Sequence, residues 1–182
     1  MNAELLNVRL RRATAADAED VSRWRNQPTS LRFQASSPRS VEQIRELLAA
    51  QEQIEINPEA EGKLYWVIEV DGEPAGQVQI AVDSGFRQQL MSTLGYTVAE
   101  MMQGRGVATA AVREAIAIAF GPGELGLERI EAVAAVENVA SRRVLEKAGF
   151  RFEGIRRGLL RIQGQRVDHA CYGILVTDSW EH

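Results

Sequence analysis

A glycine-bearing loop that runs directly into a helix is the feature of this sequence that most constrains its fold. The loop begins at Gln103, and the small, apolar residues that follow predict a helix from Gly106 to Phe120, buried against a sheet. Gly104 and Gly106 have no Cβ, so the backbone can bend there and an anion can approach closely. The first amides of a helix lack intrahelical acceptors and lie at the positive end of the helix dipole. The junction therefore predicts a phosphate site.

Two other phosphate-binding motifs fit this loop poorly. A dinucleotide-binding loop needs a third glycine where this chain has Thr109, and it follows a parallel strand rather than antiparallel hairpin strands. A Walker A loop needs Gly-Lys-Ser/Thr, and that sequence does not occur here. The loop alone leaves open a simple turn before a helix.

The remaining sequence predicts a mixed α+β sheet. Thr14 is a plausible N-cap for a first helix through about Arg25, and Ser40 with Gln43 forms a capping box for a second helix through roughly Ile54. Asp71-Gly72 is a strong hairpin turn, and Gly149 ends the last helix. The predicted strands are 8–12, 64–70, 75–82, 90–98, 129–136, 150–162 and 167–176, and a further helix covers 139–147.

Composition narrows the class of protein. A chain of 182 residues with 45% hydrophobic and 25% charged residues suits one globular domain. The formal net charge of −4 without a basic stripe argues against a nucleic-acid partner. Cys171 is the only cysteine, so we expect no internal disulfide and no cysteine-based metal site. The N-terminus lacks signal-peptide character and no apolar run spans a bilayer, so we expect a cytoplasmic enzyme with no membrane partner.

A second motif, Asn138 to Phe150, lies about thirty residues after the loop. Together the two segments resemble the GCN5-related N-acetyltransferase (GNAT) family, whose loop has the form Gln/Arg-x-x-Gly-x-Gly/Ala; Gln103, Gly106 and Ala108 fill those places. The chain looks most like the Rim-type subfamily, which acetylates the N-terminal residues of ribosomal proteins. The segments that carry this likeness are Arg23-Trp24-Arg25-Asn26, Leu94-Gly95-Tyr96, Asn138-x-x-Ser141, and Val144 to Phe150 with Glu153-Gly154.

The resemblance implies a single GNAT domain over 1–182, with its core at about 8–176. Its fold is α+β: a central mixed, mostly antiparallel sheet with helices on both faces. Two neighbouring parallel strands, here Leu90–Val98 and Arg129–Val136, would splay apart to admit acetyl-CoA. No metal is implied, and we expect a monomer or a homodimer.

The resemblance also implies the cofactor contacts. The backbone of Tyr96, Thr97 and Val98 would pair with the pantetheine arm, and the Val98 amide would polarise the thioester carbonyl. Asn138 would cap its helix and hydrogen-bond the pantetheine. The pyrophosphate would lie against Gln103, Gly104, Arg105, Gly106, Val107 and Ala108, with Arg105 adding a cation.

The resemblance makes Ser141 the candidate for the acid or thiolate-stabilising role. Many superfamily members have a tyrosine where this chain has Leu145, whereas Rim-type proteins have a serine near the CoA sulfur at the position of Ser141. Ordinary helix-start chemistry is the alternative for Ser141. Many superfamily members have a glutamate five residues before the motif asparagine, where this chain has Val133. The Rim-type subfamily often has a glutamate just before Gly-Tyr, where this chain has Leu94 preceded by Thr93. The other carboxylate candidates for a general base, Glu137, Glu153 and Asp168, are each expected to be solvated or structural, as are His169, Cys171 and Tyr172.

We therefore expect an acetyl-CoA-dependent transfer to a primary amine. An α-amino group has a pKa near ~8 and is partly neutral at pH 7, whereas a lysine near ~10.4 is almost wholly charged. A protein or peptide N-terminus is thus favoured. The alternatives are a small amine (a polyamine, an antibiotic or an amino acid) and a non-catalytic acyl-CoA-binding module.

Overall fold

The computed structural model describes residues 6–35 and 39–179, and its centre is a seven-stranded sheet. The strand order is β1-β2-β3-β4-β5-β7-β6. The strands are β1 Val8–Arg12, β2 Gly62–Val70, β3 Glu73–Val82, β4 Met91–Val98, β5 Arg129–Ala135, β6 Arg151–Ile162 and β7 Gln165–Leu175. The helices are α1 Ala18–Asn26, α2 Pro28–Phe33, α3 Val41–Glu52, α4 Ser84–Gln88, α5 Val107–Phe120 and α6 Val139–Lys147, with 3-10 turns at Ala15–Asp17 and Glu100–Met102.

One pair of strands, β4 and β5, is parallel, and every other neighbouring pair is antiparallel. The parallel pairing is short: Met91 to Thr93 face Arg129 to Glu131, although both strands continue beyond it. From Leu94 onward β4 therefore separates from β5. The predicted splayed pair is confirmed, and the gap opens toward the carboxyl ends of the two strands.

Helix α5 fills the larger hydrophobic core on one face of the sheet. Three of its inward residues, Ala111, Ala115 and Ala119, are small, which permits the helix to approach the sheet closely. Ile116 and Ile130 are fully buried in this core. A smaller core on the opposite face holds α1 and α3 against β2, and its members include Trp24, Ile44, Leu48, Tyr65 and Val67. Helices thus lie on both faces of the sheet, as predicted.

The structure corrects several predicted helices. The first helix is interrupted, because Asp17 accepts hydrogen bonds from the Thr14 amide at 2.8 Å and closes a 3-10 turn before α1 begins at Ala18. The second helix has the predicted capping box but ends at Glu52 rather than Ile54. Helices α2 and α4 were not predicted. Pro28 at the first turn is a local signal consistent with the start of α2, although it does not identify a helix by itself.

An ion-paired cluster fastens β1 to the start of α1. Arg11 donates to both carboxylate oxygens of Asp17, at 2.8 and 2.7 Å, and to Glu69 at 2.7 Å. Burial by itself would raise the pKa of Asp17, but the hydrogen bonds from Arg11 and Thr14 outweigh it and hold the pKa below its usual value. The cluster therefore stabilises the fold only while Asp17 is ionised.

The apolar strand around Cys171 predicts a buried core thiol, but in the structure Cys171 is only partly buried. It faces away from α5 on β7, beside Val133 of β5, whose side chain is 42% exposed. Among the residues that the structure describes, no helix is long and apolar enough to cross a membrane.

Candidate active site

A cleft of about 750 Å³ opens where β4 and β5 separate. Residues of α1 and α2 form one wall, the start of α6 forms another, and the loop before α5 closes one end. Strands β2, β3 and β4 contribute a polar floor through Tyr65, Gln77, Gln79 and Thr97. The cleft therefore joins the predicted phosphate loop to a second compartment beside α1.

The loop before α5 has the geometry that its glycines predict. Gly104 and Gly106 have φ angles of +72° and +86°, a left-handed conformation that favours glycine. Apart from the chain neighbours, no atom of the described residues lies within 4 Å of a Cβ built on either residue, so both face open space. Gly106 is the N-cap of α5, and no side chain caps the helix. The first amides of α5 are thus available to an anion.

The edge of β4 that faces the gap carries the backbone groups of residues 96 and 98. Ala99 donates its N–H to Ala75 on β3, and backbone direction alternates along an antiparallel strand, so the groups of Tyr96 and Val98 point away from β3. Three glutamine side chains bind the carbonyls on this edge. Gln27 and Gln103 donate to the Val98 carbonyl at 2.9 and 3.1 Å, and Gln34 donates to the Tyr96 carbonyl at 3.2 Å.

Gln27 and Gln34 were not anticipated from the sequence. Gln27 comes just before α2, and Gln34 just after it. Their side chains tie the acceptor-side wall of the cleft to the open edge of β4. Nothing in the local sequence indicates these contacts, since they join residues more than sixty positions apart.

Ser141 and Tyr96 form a hydroxyl pair across the cleft. Their hydroxyl oxygens are 2.8 Å apart, and the Tyr96 hydroxyl is also 3.2 Å from the Ser141 carbonyl oxygen. Burial raises the pKa of Tyr96 to about 12, although the hydrogen bond with Ser141 acts in the opposite direction. Tyr96 therefore remains a neutral hydrogen-bond donor. The sequence pointed to the backbone of Tyr96 but not to this use of its side chain.

Asn138 is the N-cap of α6, as expected. Its Oδ1 accepts the Ser141 N–H at 3.1 Å, and the residue lines the cleft. Arg143 and Lys147, one turn apart on the same helix, also line it. These two cations were not singled out from the sequence, and they add positive charge to the cleft wall formed by α6.

The structure brings most of the predicted cofactor residues together. The cleft is lined by Tyr96, Thr97, Val98, Gln103, Gly104, Gly106, Ala108, Asn138 and Ser141. Arg105 is exposed, with its guanidinium 3.3 Å from the Met102 sulfur, and it does not line the cleft. The side chain of Val107 is buried in the core, so only its backbone is available to a ligand.

The three carboxylates considered as bases lie elsewhere. Glu153 binds Arg129 at 2.6 Å and belongs to a separate pocket of about 250 Å³ on the exposed sheet face. Asp168 accepts the Gly158 N–H at 2.7 Å and stabilises the β6–β7 hairpin. Glu137 is exposed, outside the cleft. Among the described residues, the lining of the cleft includes neither aspartate nor glutamate.

His169 and Tyr172 lie on opposite faces of β7. His169 lines the cleft, is buried, and has its Nδ1 2.9 Å from the Val167 carbonyl oxygen, so the proton is on Nδ1. Tyr172 is a core aromatic whose hydroxyl donates to Glu146 at 2.9 Å and accepts from Arg142 at 3.1 Å. Tyr172 thus has the structural role that was expected.

Comparisons with known proteins agree with this geometry. The family model described as an acetyltransferase (GNAT) domain matches residues 7–151. "Putative ribosomal N-acetyltransferase YdaF" of Bacillus subtilis is 33% identical over 82% of this chain and 78% of its own. "Probable N-acetyltransferase YjcK" of the same organism is 45% identical over 86 residues. That match spans 47% of this chain and 46% of YjcK, which is about half of each.

Solved structures show the same fold. RimJ of Mycobacterium smegmatis, in complex with CoA-disulfide, superimposes with a TM-score of 0.78 at 30% identity, covering 93% of this chain and 82% of RimJ. Spermidine N-acetyltransferase of Vibrio cholerae, in complex with CoA and spermine, also superimposes with a TM-score of 0.78, covering 92% of this chain and 95% of that protein. The sequence identity is 21%, so this match shows a common fold alone.

The chain therefore belongs to the GNAT acetyltransferase family and is an acyltransferase. Within the family its likeness is to the Rim-type branch, through RimJ and YdaF. The predicted GNAT fold and the predicted branch are both confirmed.

Proposed function

We propose that this protein transfers an acetyl group from acetyl-CoA to the α-amino group of a protein or peptide N-terminus. One observation carries the proposal: the gap between β4 and β5 joins the uncapped start of α5 to the Tyr96–Ser141 hydroxyl pair in a single cleft. Acetyl-CoA needs an anion site at one end, a strand-like edge for its amides, and a proton donor for its sulfur.

The residues present fit acetyl-CoA. The amides of Gly104 through Ala108 would hold the pyrophosphate, in space where no Cβ intrudes. Arg143 and Lys147 would add positive charge for its phosphates. The backbone groups of Tyr96 and Val98 that point away from β3 would pair with the pantetheine arm, and the Val98 amide would stabilise the oxyanion that develops on the thioester.

In the proposed reaction, the neutral amine attacks the thioester carbon, a C–N bond forms, and the C–S bond breaks. Ser141 donates its hydroxyl proton to the departing sulfur, and the proton lost by the amine passes to solvent. Tyr96 supports this step, because its proton can point to the Ser141 Oγ when the serine hydroxyl turns toward the sulfur. The serine then recovers a proton from water.

The lining of the cleft favours an α-amine over a lysine. No carboxylate among the described residues lines the cleft to remove a proton from an ammonium. An acceptor that is already partly neutral therefore has the advantage. A pKa gap of about 2.5 between the two kinds of amine corresponds to about 3.4 kcal/mol in the population of the neutral form.

The same lining disfavours polyamines. Arg25, Arg39, Lys63, Arg143 and Lys147 line the cleft, and a polycation would meet these charges without a carboxylate partner among the described lining residues. The likeness to spermidine N-acetyltransferase extends to the fold alone. A peptide N-terminus carries a single amine charge and meets less repulsion.

A thiol-release assay tests the proposal with three acceptors: peptides with a free N-terminus, the same peptides blocked there but bearing one lysine, and spermidine. We expect the free N-termini to react fastest. Faster reaction of lysine peptides or of spermidine contradicts the acceptor assignment and leaves the cofactor assignment intact. CoA binding without turnover on any acceptor would instead favour an acyl-CoA-binding module.

A further inference from the structure

The floor of the cleft beside α1 carries a basic cluster. Arg25, at the end of α1, and Arg39, just before α3, both line the cleft, as does Tyr65 of β2. Burial lowers the pKa of Arg25, and the positive charge of Arg39 lowers it further. Burial raises the pKa of Tyr65, and the two arginines act on it in the opposite direction, so the three groups interact.

A second feature lies on the same floor. Gln77 of β3 is 7% exposed, and its Oε1 has no hydrogen-bond partner among the described residues. Gln77 lies beside Thr97 of β4 and lines the cleft. A buried carbonyl oxygen without a donor costs free energy in the empty protein. An N–H of a bound molecule would supply the missing donor.

We propose that the acceptor carries a carboxylate close to its reactive amine, with Arg25 and Arg39 binding the carboxylate and Gln77 receiving an N–H. The inference rests on the proposed amine acetylation and adds the chemical class of the acceptor. A carboxylate is the group that two guanidinium groups bind best, because its two oxygens match the planar fork of N–H donors.

Two kinds of acceptor present this chemistry. A peptide presents it through an acidic side chain near its N-terminus, and a free amino acid presents it through its own α-carboxylate. Placing a carboxylate against the arginines also relieves the repulsion between them. An acceptor with a second cation would add to that repulsion.

The test uses matched acceptors that differ in one charge. The peptide pair has Glu or Gln at the second position and an amidated C-terminus, and the amino-acid pair is glycine and glycinamide. We expect the carboxylate member of at least one pair to have a kcat/KM about tenfold higher, and the pair that shows the difference identifies the source of the carboxylate. Equal kcat/KM within both pairs overturns the proposal.

Arg25→Gln should remove that preference, whereas Arg23→Gln should keep it. Arg23 is two residues away on the same helix and pairs with Asp20 at the surface, so it is a matched control. Loss of the preference in both variants, or in neither, overturns the assignment to Arg25. Gln77→Leu should raise the KM of the acceptor several-fold and leave the affinity for CoA unchanged; an unchanged KM removes Gln77 from the proposal.

Binding measurements keep the inference testable without turnover. Calorimetry on the CoA complex should show about tenfold tighter binding of the Glu peptide than of the Gln peptide, and Arg25→Gln should abolish the difference. Absence of turnover combined with this preference would reject the proposed reaction but support the carboxylate site. Equal binding of the two peptides would reject the site.

Discussion

The Tyr96–Ser141 pair permits a quantitative prediction about catalysis. Ser141→Ala removes the proposed proton donor, and a general acid contributes about 10²-fold, or about 2.7 kcal/mol of barrier. Tyr96→Phe removes only the partner of that hydroxyl. The 2.8 Å separation is normal for a hydrogen bond between hydroxyls, whose net worth is about 1 kcal/mol, so we expect about a fivefold loss in kcat.

The double variant distinguishes support for Ser141 from an independent role of Tyr96. If Tyr96 acts through Ser141, the double variant loses about 10²-fold in kcat, the same as Ser141→Ala alone. If the two residues act independently, their losses multiply to about 500-fold. The coupling free energy expected from the cycle is therefore about 1 kcal/mol.

The assay is thiol release at saturating acetyl-CoA and acceptor, with CoA affinity and the unfolding midpoint measured for each variant. Affinity for CoA should stay within about twofold, because the pair acts on the leaving group and not on the phosphates. If the losses in kcat multiply in the double variant, or if the substitutions change only the KM for acetyl-CoA, Tyr96 does not act on the leaving group through Ser141. An unchanged kcat in Ser141→Ala would reduce Ser141 to a helix-start residue.

Three further predictions follow from the same structure. Gly106→Glu should abolish CoA binding in calorimetry. Gly106→Ala should lower the free energy of unfolding by about 1 kcal/mol, because of the positive φ, and should still bind CoA. If the two variants lose CoA binding equally, backbone strain and not charge and bulk is responsible. The native stabilisation by ionised Asp17 is present above its unfolded pKa of about 4 and is lost as pH falls through the lower folded value. Asp17→Asn should therefore be about 1–3 kcal/mol less stable at pH 7, and its free energy of unfolding should depend less on pH below about pH 4. The kcat/KM should rise with pH as the acceptor ammonium loses its proton, and the His169→Gln variant should show the same pH profile. If His169→Gln still binds CoA but its kcat/KM no longer rises with pH in this way, His169 is the base.

Local patterns explain why much of the fold was predictable. The strand Val8–Arg12 and the helix Val139–Lys147 have the predicted bounds, because alternation and capping residues mark both ends. The capping box at Ser40 forms as expected. Helix α2 was missed because six residues carry too little periodicity to identify a helix.

The site was predictable only where one segment forms it. The loop at Gly104 to Gly106 is a local structure, and its glycines predict its conformation. The Tyr96–Ser141 pair joins residues 45 positions apart, and no sequence pattern relates them. The cluster of Arg25 and Arg39 likewise depends on how α1 and the start of α3 pack on β2, which is a result of tertiary packing.

The positive charge of the cleft also bears on the missing base. A like charge disfavours the ionised form of an ammonium and lowers its pKa. Arg25 and Arg39 both line the cleft, and their positive charges would lower the pKa of an ammonium bound beside them. The basic cluster would then serve two purposes: it selects an acceptor by its carboxylate, and it shifts the amine toward the neutral form that attacks the thioester. A cleft with no carboxylate among its described lining residues is thus consistent with acyl transfer.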